Sequence, residues 1–245
     1  MVALLEMTWR DTLFAHWPVA PAFVAERLPA GLEVDTYDGD AYLGVVPFEM
    51  ADLRPRGSPV GLSFGELNLR TYVRYEGQRG VYFFSLDADD RLGVSVARSA
   101  FRLPYYRAEM TVSSRDEGVR FRSRRTHPGE PPLAFDARYR PEGESFTADP
   151  GSLASFLVER YRFFTADDGG RLWAGDIEHE PWRLREAGAT LARNGSFAAN
   201  GFEQPAGEPH LLYADSIDVR AGRIRRLGRG ERPDSINTTR TEREA

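Results

Sequence analysis

Residues 65–74 read Gly65-Glu66-Leu67-Asn68-Leu69-Arg70-Thr71-Tyr72-Val73-Arg74 and alternate polar with apolar side chains without interruption. A period of two is typical of a β-strand, because successive side chains of a strand point to opposite faces. One face therefore carries the leucines, the threonine and the valine, and the other carries Glu66, Asn68, Arg70, Tyr72 and Arg74. Two interpretations are open: the polar face meets solvent at the surface, or it lines a polar cavity.

The composition is that of a folded protein with a large core and a restricted chemistry. Of its 245 residues, 41% are hydrophobic and 12% are aromatic, which suits a β-rich fold. The chain has no cysteine, so disulfides, thiolate metal sites and cysteine nucleophiles are excluded. All 32 basic residues are arginines. Since a guanidinium keeps its proton and is a poor nucleophile, no side chain of this protein can form a Schiff base.

The charge and the N-terminal residues restrict the expected partners and location. A formal net charge of -5 gives no general attraction to nucleic acid or to anionic membranes, so neither is expected as a partner. Residues 1–6 lack the basic and apolar segments of a signal peptide, and no later apolar run approaches membrane-spanning length. We therefore expect a cytoplasmic protein.

Hydrophobic periodicity predicts a mainly β protein with a few helices (α+β). We expect one domain over residues 1–227, followed by a loose polar tail over 228–245. Helices are expected over 20–28, 89–101 and 152–160. Besides 65–74, strands are expected over 9–17, 32–37, 41–48, 81–86, 105–113, 119–124, 135–140, 161–165, 172–177, 187–192 and 211–220.

Two Asp-Gly turns suggest a repeated unit. Asp38-Gly39 separates two predicted strands, and this dipeptide favours the tight type I′ turn of a β-hairpin. Asp168-Gly169 lies in a similar passage, which also runs from a Glu-Arg pair through a strand, the turn and a second strand to a proline and an aromatic residue. Internal duplication and chance similarity both explain this pattern, because Asp-Gly turns are common in β proteins.

Short motifs of other protein classes are present without their structural context. Residues 61–65 match the Gly-x-Ser-x-Gly pattern of serine hydrolases, but a nucleophile elbow needs a strand before the serine and a helix after it. Here a Pro/Gly-rich loop precedes the serine and a strand follows. The four histidines lack metal-ligand spacing, and Glu178-His179-Glu180 is more simply a solvated strand end. We expect neither hydrolase chemistry nor a metal site.

Four separated blocks of sequence resemble the YqjF-like family of uncharacterised conserved proteins. They occur in the order Trp9-Arg10-Asp11, LGVVPF at 43–48, ELNLRTYV at 66–73 and FRLPYYRA at 101–108, and the likeness covers residues 7–220. The resemblance implies a single closed or nearly closed antiparallel β-barrel related to acetoacetate decarboxylase. Relatives with this fold suggest a homo-oligomer.

The pattern of acetoacetate decarboxylase implies a site but not its reaction. By this resemblance, the substrate-side arginine corresponds to Arg10, the active-site glutamate to Glu66 and the arginine of a further block to Arg98. The two lysines, including the Schiff-base lysine, fall on Tyr105 and Tyr106. Because a phenol cannot form an iminium, the resemblance implies a pocket without that decarboxylation mechanism.

The residue types of the implied pocket define its candidate chemistry. Glu66 is a candidate general base, and Tyr105 or Tyr106 a candidate hydrogen-bond donor or acid, in proton transfer next to a carbonyl. Planar guanidinium groups suit a carboxylate or a phosphate. The candidate ligand-binding residues are Arg10, Asn68, Arg70, Tyr72 and Arg98.

These candidates lead to three hypotheses. The first is a small-molecule β-barrel that binds a small anionic, carboxylate-bearing (keto-acid-like) metabolite, needs no cofactor and performs acid–base chemistry without a covalent amine. The second is a non-catalytic ligand-binding protein or sensor that uses the same cavity. The third is a structural or interaction protein whose barrel is filled by side chains. For the pocket itself, the alternative to acid–base chemistry is that Glu66 and an arginine only neutralise each other in a buried network.

Overall fold

The computed structural model describes residues 3–90, 101–115 and 117–228. These residues form a mainly β structure that includes the short helices α1 (Pro21–Ala25), α2 (Leu153–Val158) and α3 (Ser196–Ala199). The strands are β1 (Leu5–Val19), β2 (Glu33–Val34), β3 (Ala41–Pro55), β4 (Leu62–Tyr75), β5 (Gln78–Ala88), β6 (Tyr105–Arg115), β7 (Gly118–Arg125), β8 (Ala134–Phe146), β9 (Arg162–Ala166), β10 (Leu172–Glu178), β11 (Leu184–Asn194), β12 (His210–Ala221) and β13 (Arg225–Arg226).

The strands hydrogen-bond into one sheet in the order β13-β10-β9-β5-β6-β7-β8-β11-β12-β1-β3-β4-β2. Additional pairings join β4 to β5 and β10 to β12, so the series β4, β5, β6, β7, β8, β11, β12, β1 and β3 returns to its first strand. The organising strand β4 therefore has a long partner on each side, β3 and β5. Its backbone is paired along both edges, which fixes the direction of its side chains.

The sheet is not antiparallel throughout, and the expected all-antiparallel arrangement is wrong in this respect. β5 pairs in parallel with β6 and with β9. Two parallel neighbours cannot be joined by a tight turn, and β5 and β6 are well separated in the sequence, since β5 ends at Ala88 and β6 begins at Tyr105. The parallel pairing places Tyr105, the first residue of β6, beside Leu86 of β5.

The strand predicted over 32–37 is reduced to the two residues of β2, whereas every other predicted strand is present with similar or wider bounds. Because β2 pairs with β4, the predicted hairpin with β3 is wrong, and a single bridge between Tyr37 and Asp40 spans the turn. The turn itself is confirmed, since Asp38 and Gly39 have φ of 50° and 92°. The later passage differs, because β9 and β10 do form an antiparallel hairpin.

The helices are shorter than predicted. α1 ends at Ala25 instead of residue 28 because the chain turns ahead of Pro29 and Gly31, whose φ is 94°. α2 begins where predicted, since the Ser152 side chain accepts a hydrogen bond from the Ser155 N–H at 3.2 Å. Most of the helix predicted over 89–101, and nearly all of the predicted tail, lie outside the described residues.

Buried side chains pack against both faces of β4. Leu67 and Leu69 join one apolar cluster, which includes Phe121 of β7. Tyr72, on the other face, joins a second cluster that includes Trp182. No helix in the described ranges has the length and apolarity needed to cross a membrane.

Candidate functional site

The polar face of β4 is buried inside the protein. Glu66 and Asn68 are each 3% exposed, and Tyr72 is fully buried. Arg74, near the end of the strand, has a side chain that is 40% exposed. The surface-strand interpretation is therefore wrong, because aromatic residues such as Phe156 pack over this face.

A cavity of about 130 Å³ lies beside this face. The polar residues in its wall are Glu66, Arg70, Tyr105, Arg160, Arg162 and His179. The remaining wall is apolar and largely aromatic, and consists of Leu5, Met7, Trp9, Met50, Leu53, Val81, Phe83, Leu86, Phe101, Leu103, Val158, Phe163, Ile177, Trp182 and Ala221. The structure thus brings three of the predicted site residues, Glu66, Arg70 and Tyr105, to one cavity.

Glu66 is a buried carboxyl group that accepts two hydrogen bonds. The phenol of Tyr105 donates to Oε2 at 2.6 Å, and the amide of Asn68 donates to Oε1 at 3.3 Å. Burial disfavours the charged form and raises the pKa of Glu66 from 4.5 to about 7, although both hydrogen bonds and the charge of Arg70 oppose this rise. Protonated and ionised forms therefore coexist near neutral pH, as a proton-transferring group requires.

Tyr105 is held against Glu66 by the register of the sheet. Leu86 of β5 pairs with Asn68 on one side and with Tyr105 on the other, which brings the start of β6 next to β4. Burial and the adjacent Glu66 carboxyl raise the pKa of Tyr105 well above 10. The phenol therefore keeps its proton and acts as a hydrogen-bond donor.

Arg70 lines the cavity, and its guanidinium contacts a backbone carbonyl and two aromatic rings. Its Nη2 donates to the Leu157 carbonyl at 3.4 Å. Its Cζ lies 5.4 Å from the ring centroid of Phe14 and 5.9 Å from that of Tyr72. Its Nε is buried without a hydrogen-bond acceptor. A cation in this setting is available to an anionic ligand.

Tyr72 and His16 form a buried pair that supports the wall. The Tyr72 hydroxyl donates to the Leu157 carbonyl at 2.7 Å, and His16 Nε2 lies 2.6 Å from the same hydroxyl oxygen. Because the phenol has one proton, we infer that His16 Nε2 carries a proton and donates it. Burial and the charge of Arg70 hold the pKa of His16 well below 6.5, so the ring is neutral. Gly44 makes room for it, since a Cβ there would lie 2.6 Å from the imidazole.

The structure does not bring Arg10 to the cavity. Arg10 is exposed, whereas Trp9, its neighbour on β1, lines the cavity. Successive residues of a strand point to opposite faces. Arg10, which matched the decarboxylase pattern, therefore lies on the face of β1 that is turned away from the cavity. Arg98, the third predicted arginine, lies outside the described residues.

Strand geometry also separates the two candidate tyrosines. Tyr106 follows Tyr105 on β6 and lies on the opposite face, where its ring contacts His127 and the guanidinium of Arg125. Asn68 and Tyr72, predicted to bind ligand, are buried next to cavity residues but are not part of the cavity wall. Asn68 instead hydrogen-bonds Glu66.

Several residues of the wall were not predicted as site residues, among them two tryptophans and Arg160. Trp9 and Trp182 stack with ring centroids 6.1 Å apart, and their indole N–H groups are both buried without an acceptor. Trp9 belongs to the first block of the family resemblance, next to Arg10. Because alternate residues of a strand share a face, knowing which residues of this strand point inward would have selected Trp9 over Arg10. Arg160 had no comparable signal, because its position depends on how α2 packs against β4.

The serine and histidine motifs of other protein classes have structural explanations. Ser63 is an exposed residue within β4, and its hydroxyl accepts a hydrogen bond from the Asp52 N–H at 3.0 Å. A continuous strand surrounds it, which confirms that this is not a nucleophile elbow. In the described part of the chain, no group of three or more His, Asp or Glu side chains is placed to hold a metal ion.

Comparisons with known proteins agree with the resemblance. The model of the DUF2071 family, described as an uncharacterized conserved protein, matches residues 6–218. The uncharacterized protein YqjF of Bacillus subtilis (strain 168) is 43% identical over 219 residues, which cover 88% of this chain and 89% of that protein. The predicted relationship to YqjF-like proteins is confirmed.

Solved structures agree with the predicted fold relationship. The enduracididine biosynthesis enzyme MppR, complexed with pyruvate, has a TM-score of 0.62 and 16% identity over 93% of this chain and 92% of its own. Acetoacetate decarboxylase from Legionella pneumophila has a TM-score of 0.62 and 12% identity over 92% of this chain and 87% of its own. At these identities the likeness concerns the fold alone, and it confirms an acetoacetate decarboxylase-like fold.

Proposed function

The chain belongs to the DUF2071 family of uncharacterized conserved proteins, and we propose that it binds a small carboxylate-bearing metabolite in the cavity beside Glu66. We propose further that it transfers a proton on this ligand without forming a covalent bond to it. The observation that carries the proposal is the Glu66 carboxyl itself, which is buried at a cavity and has a pKa of about 7. A carboxyl that titrates near the working pH is suited to general acid–base catalysis.

The proposed step is proton removal at a carbon next to a carbonyl group. Ionised Glu66 takes the proton, and the electron pair of the broken C–H bond moves onto the carbonyl oxygen to give an enolate. Return of the proton from Glu66 to the carbon restores the original compound, and return to the oxygen gives the enol. Tyr105 orients Glu66 through its 2.6 Å hydrogen bond.

The ligand class follows from the cavity wall. Arg70 supplies a cation for a carboxylate, and the aromatic and aliphatic residues suit a small apolar body. The fold neighbour MppR was solved with pyruvate, which supports 2-oxo acids as the first compounds to examine. Because the chain has no lysine, a side-chain Schiff base with such a compound is excluded.

The architecture supports an enclosed site. We propose that the closed series of strand pairings forms a barrel, with the polar face of β4 turned inward. The cavity beside Glu66 favours this view over a barrel interior filled by side chains. Internal duplication of the barrel and self-association of the protein stay predictions.

Hydrogen exchange in heavy water tests the proposed step directly, because the exchange itself reports proton removal whatever product the reaction forms. Pyruvate and 3-methyl-2-oxobutanoate are incubated with the protein, and proton NMR follows the loss of the signal from the carbon next to the carbonyl. Binding is measured in parallel by calorimetry. We expect the wild type to bind at least one of the two compounds and to accelerate its exchange.

Two variants make this experiment decisive. Glu66→Gln should bind the compound but lose the acceleration, while Glu142→Gln, which changes an exposed glutamate whose side chain is 46% exposed, should behave as wild type. Binding without exchange in the wild type would favour a sensor or carrier over an enzyme. Absence of binding by any small carboxylate would overturn the proposal.

A further inference from the structure

Arg160 is a second cation at the cavity, on a chain segment that the sequence did not mark as functional. It lies two residues after α2, and its side chain is 5% exposed. Its Nε donates to the Phe156 carbonyl at 2.7 Å and its Nη1 donates to Asp35 Oδ2 at 2.8 Å. Its Nη2 is buried and has no hydrogen-bond acceptor. The Nη2 amino group of a rigidly held guanidinium is thus left for another partner.

Arg160 and Arg70 converge on the same aromatic ring. The Cζ of Arg160 lies 5.0 Å from the centroid of Tyr72, and that of Arg70 lies 5.9 Å from it. The hydroxyl of Tyr72 and the Nη2 of Arg70 both donate to the carbonyl of Leu157, three residues before Arg160. Both guanidinium groups thus line the cavity and lie within 5.9 Å of the same ring centroid, and each has a buried nitrogen without an acceptor.

The local charge favours an anion at this position. Asp35 is fully buried and is shared by Arg74, Arg79 and Arg160, at N–O distances of 2.6, 3.3 and 2.8 Å. The side chains of Arg74 and Arg79 are 40% and 55% exposed, so the buried ion pair of this group is Asp35 with Arg160. Arg70 adds a further positive charge at the cavity, and a bound anion would offset it.

We propose that the guanidinium groups of Arg70 and Arg160, which both line the cavity, together hold the carboxylate of the ligand. This inference rests on the proposed function and deepens it, because it defines the ligand as an acid whose carboxylate lies at the arginine pair. The apolar body of the ligand then lies along the aromatic wall, with Glu66 and Tyr105 available to the atoms beyond the carboxylate. Arg160 is a specificity-determining residue in this arrangement.

The test compares Arg160→Lys with Arg74→Lys. Lysine at 160 keeps a positive charge near Asp35 but lacks the guanidinium nitrogen that has no acceptor. Arg74→Lys changes another ion pair of the same Asp35, made by a partly exposed residue that is not part of the cavity wall. Binding of 3-methyl-2-oxobutanoate and of its primary amide is measured by calorimetry for the wild type and both variants. Urea unfolding shows whether each variant is folded.

We expect Arg160→Lys to weaken binding of the acid roughly tenfold, the value of a charge-assisted hydrogen bond, and to leave binding of the amide nearly unchanged. Arg74→Lys should change neither. Equal loss of acid and amide would show that Arg160 acts only through the structure, and unchanged binding of the acid would show that it does not touch the ligand. Either result overturns this inference while the proposed function stands, whereas failure of the wild type to bind the acid or any other small carboxylate would overturn both.

Discussion

Replacement of Glu66 by glutamine should remove a large part of the pH dependence of stability. Burial raises the pKa of Glu66 from 4.5, the ordinary value of a glutamate, to about 7 in the folded protein. Each unit of pKa corresponds to about 1.36 kcal/mol, so the difference corresponds to about 3 kcal/mol. This is a substantial fraction of the roughly 5–15 kcal/mol that stabilise a typical domain.

The sign follows from proton binding. Between pH 4.5 and about 7, the folded protein holds a proton on Glu66 that the unfolded chain has released. The contribution of Glu66 to the unfolding free energy is therefore fully present below pH 4.5, falls as the pH rises through this window, and is lost above about pH 7. A glutamine does not ionise, so the variant lacks this fall.

Urea unfolding of the wild type and of Glu66→Gln, followed by circular dichroism from about pH 4.5 to pH 8, measures the effect. We expect the wild-type unfolding free energy minus that of the variant to decrease by about 3 kcal/mol across this range. Glu142→Gln, at an exposed position, serves as the matched control. A difference between wild type and Glu66→Gln that stays constant from pH 5 to pH 8 would refute the assignment of a raised pKa to this carboxyl.

Three further predictions follow from contacts in and around the site. Tyr105→Phe removes a hydrogen bond that favours the ionised form of the buried glutamate, so the pKa of that carboxyl should rise above about 7 in a carbon-13 NMR titration; an unchanged or lower value would contradict the contact. Asp87→Asn leaves the buried guanidinium of Arg125 without its charge partner and should lower the unfolding free energy by about 3–5 kcal/mol in urea, and a loss below about 1 kcal/mol would contradict this. Gly44→Ala places a Cβ 2.6 Å from the imidazole of His16 and should cost about 1–3 kcal/mol in the same assay, whereas a stabilised variant would show that the ring moves freely.

The alternation of residues 65–74 was enough to predict a strand and the membership of its two faces. It could not decide whether the polar face met solvent or a cavity, because that depends on what packs over it. The covering elements come from distant parts of the chain: α2 contributes Phe156, and the N-terminal strand contributes His16. Long-range packing of this kind leaves no periodic signal in β4 itself.

The side-chain directions predicted on β4 agree with the structure, whereas the sequence did not fix which residue of β1 points inward. Glu66 and Arg70 share a face by their even spacing on one strand, and both line the cavity. Arg10 was selected by its match to a motif, although the neighbouring Trp9 occupies the inward position. The sequence also left Tyr105 and Tyr106 as alternatives, because nothing in it determines which of two successive residues of β6 points inward. If one inward-pointing residue of each strand had been known, the alternation of side chains along the strand would have identified the inward residue in both pairs.

The indole N–H signals of the protein provide the most direct test of ligand binding in this cavity. The chain has 4 tryptophans, of which Trp9 and Trp182 line the cavity, Trp17 packs in another cluster and Trp173 hydrogen-bonds Asp167. A proton–nitrogen-15 correlation spectrum is recorded during titration with 3-methyl-2-oxobutanoate, with signals assigned by single Trp→Phe variants. We expect the Trp9 and Trp182 signals to shift together to saturation while the other two stay in place. Unchanged Trp9 and Trp182 signals throughout a titration that calorimetry shows to be saturating would contradict it.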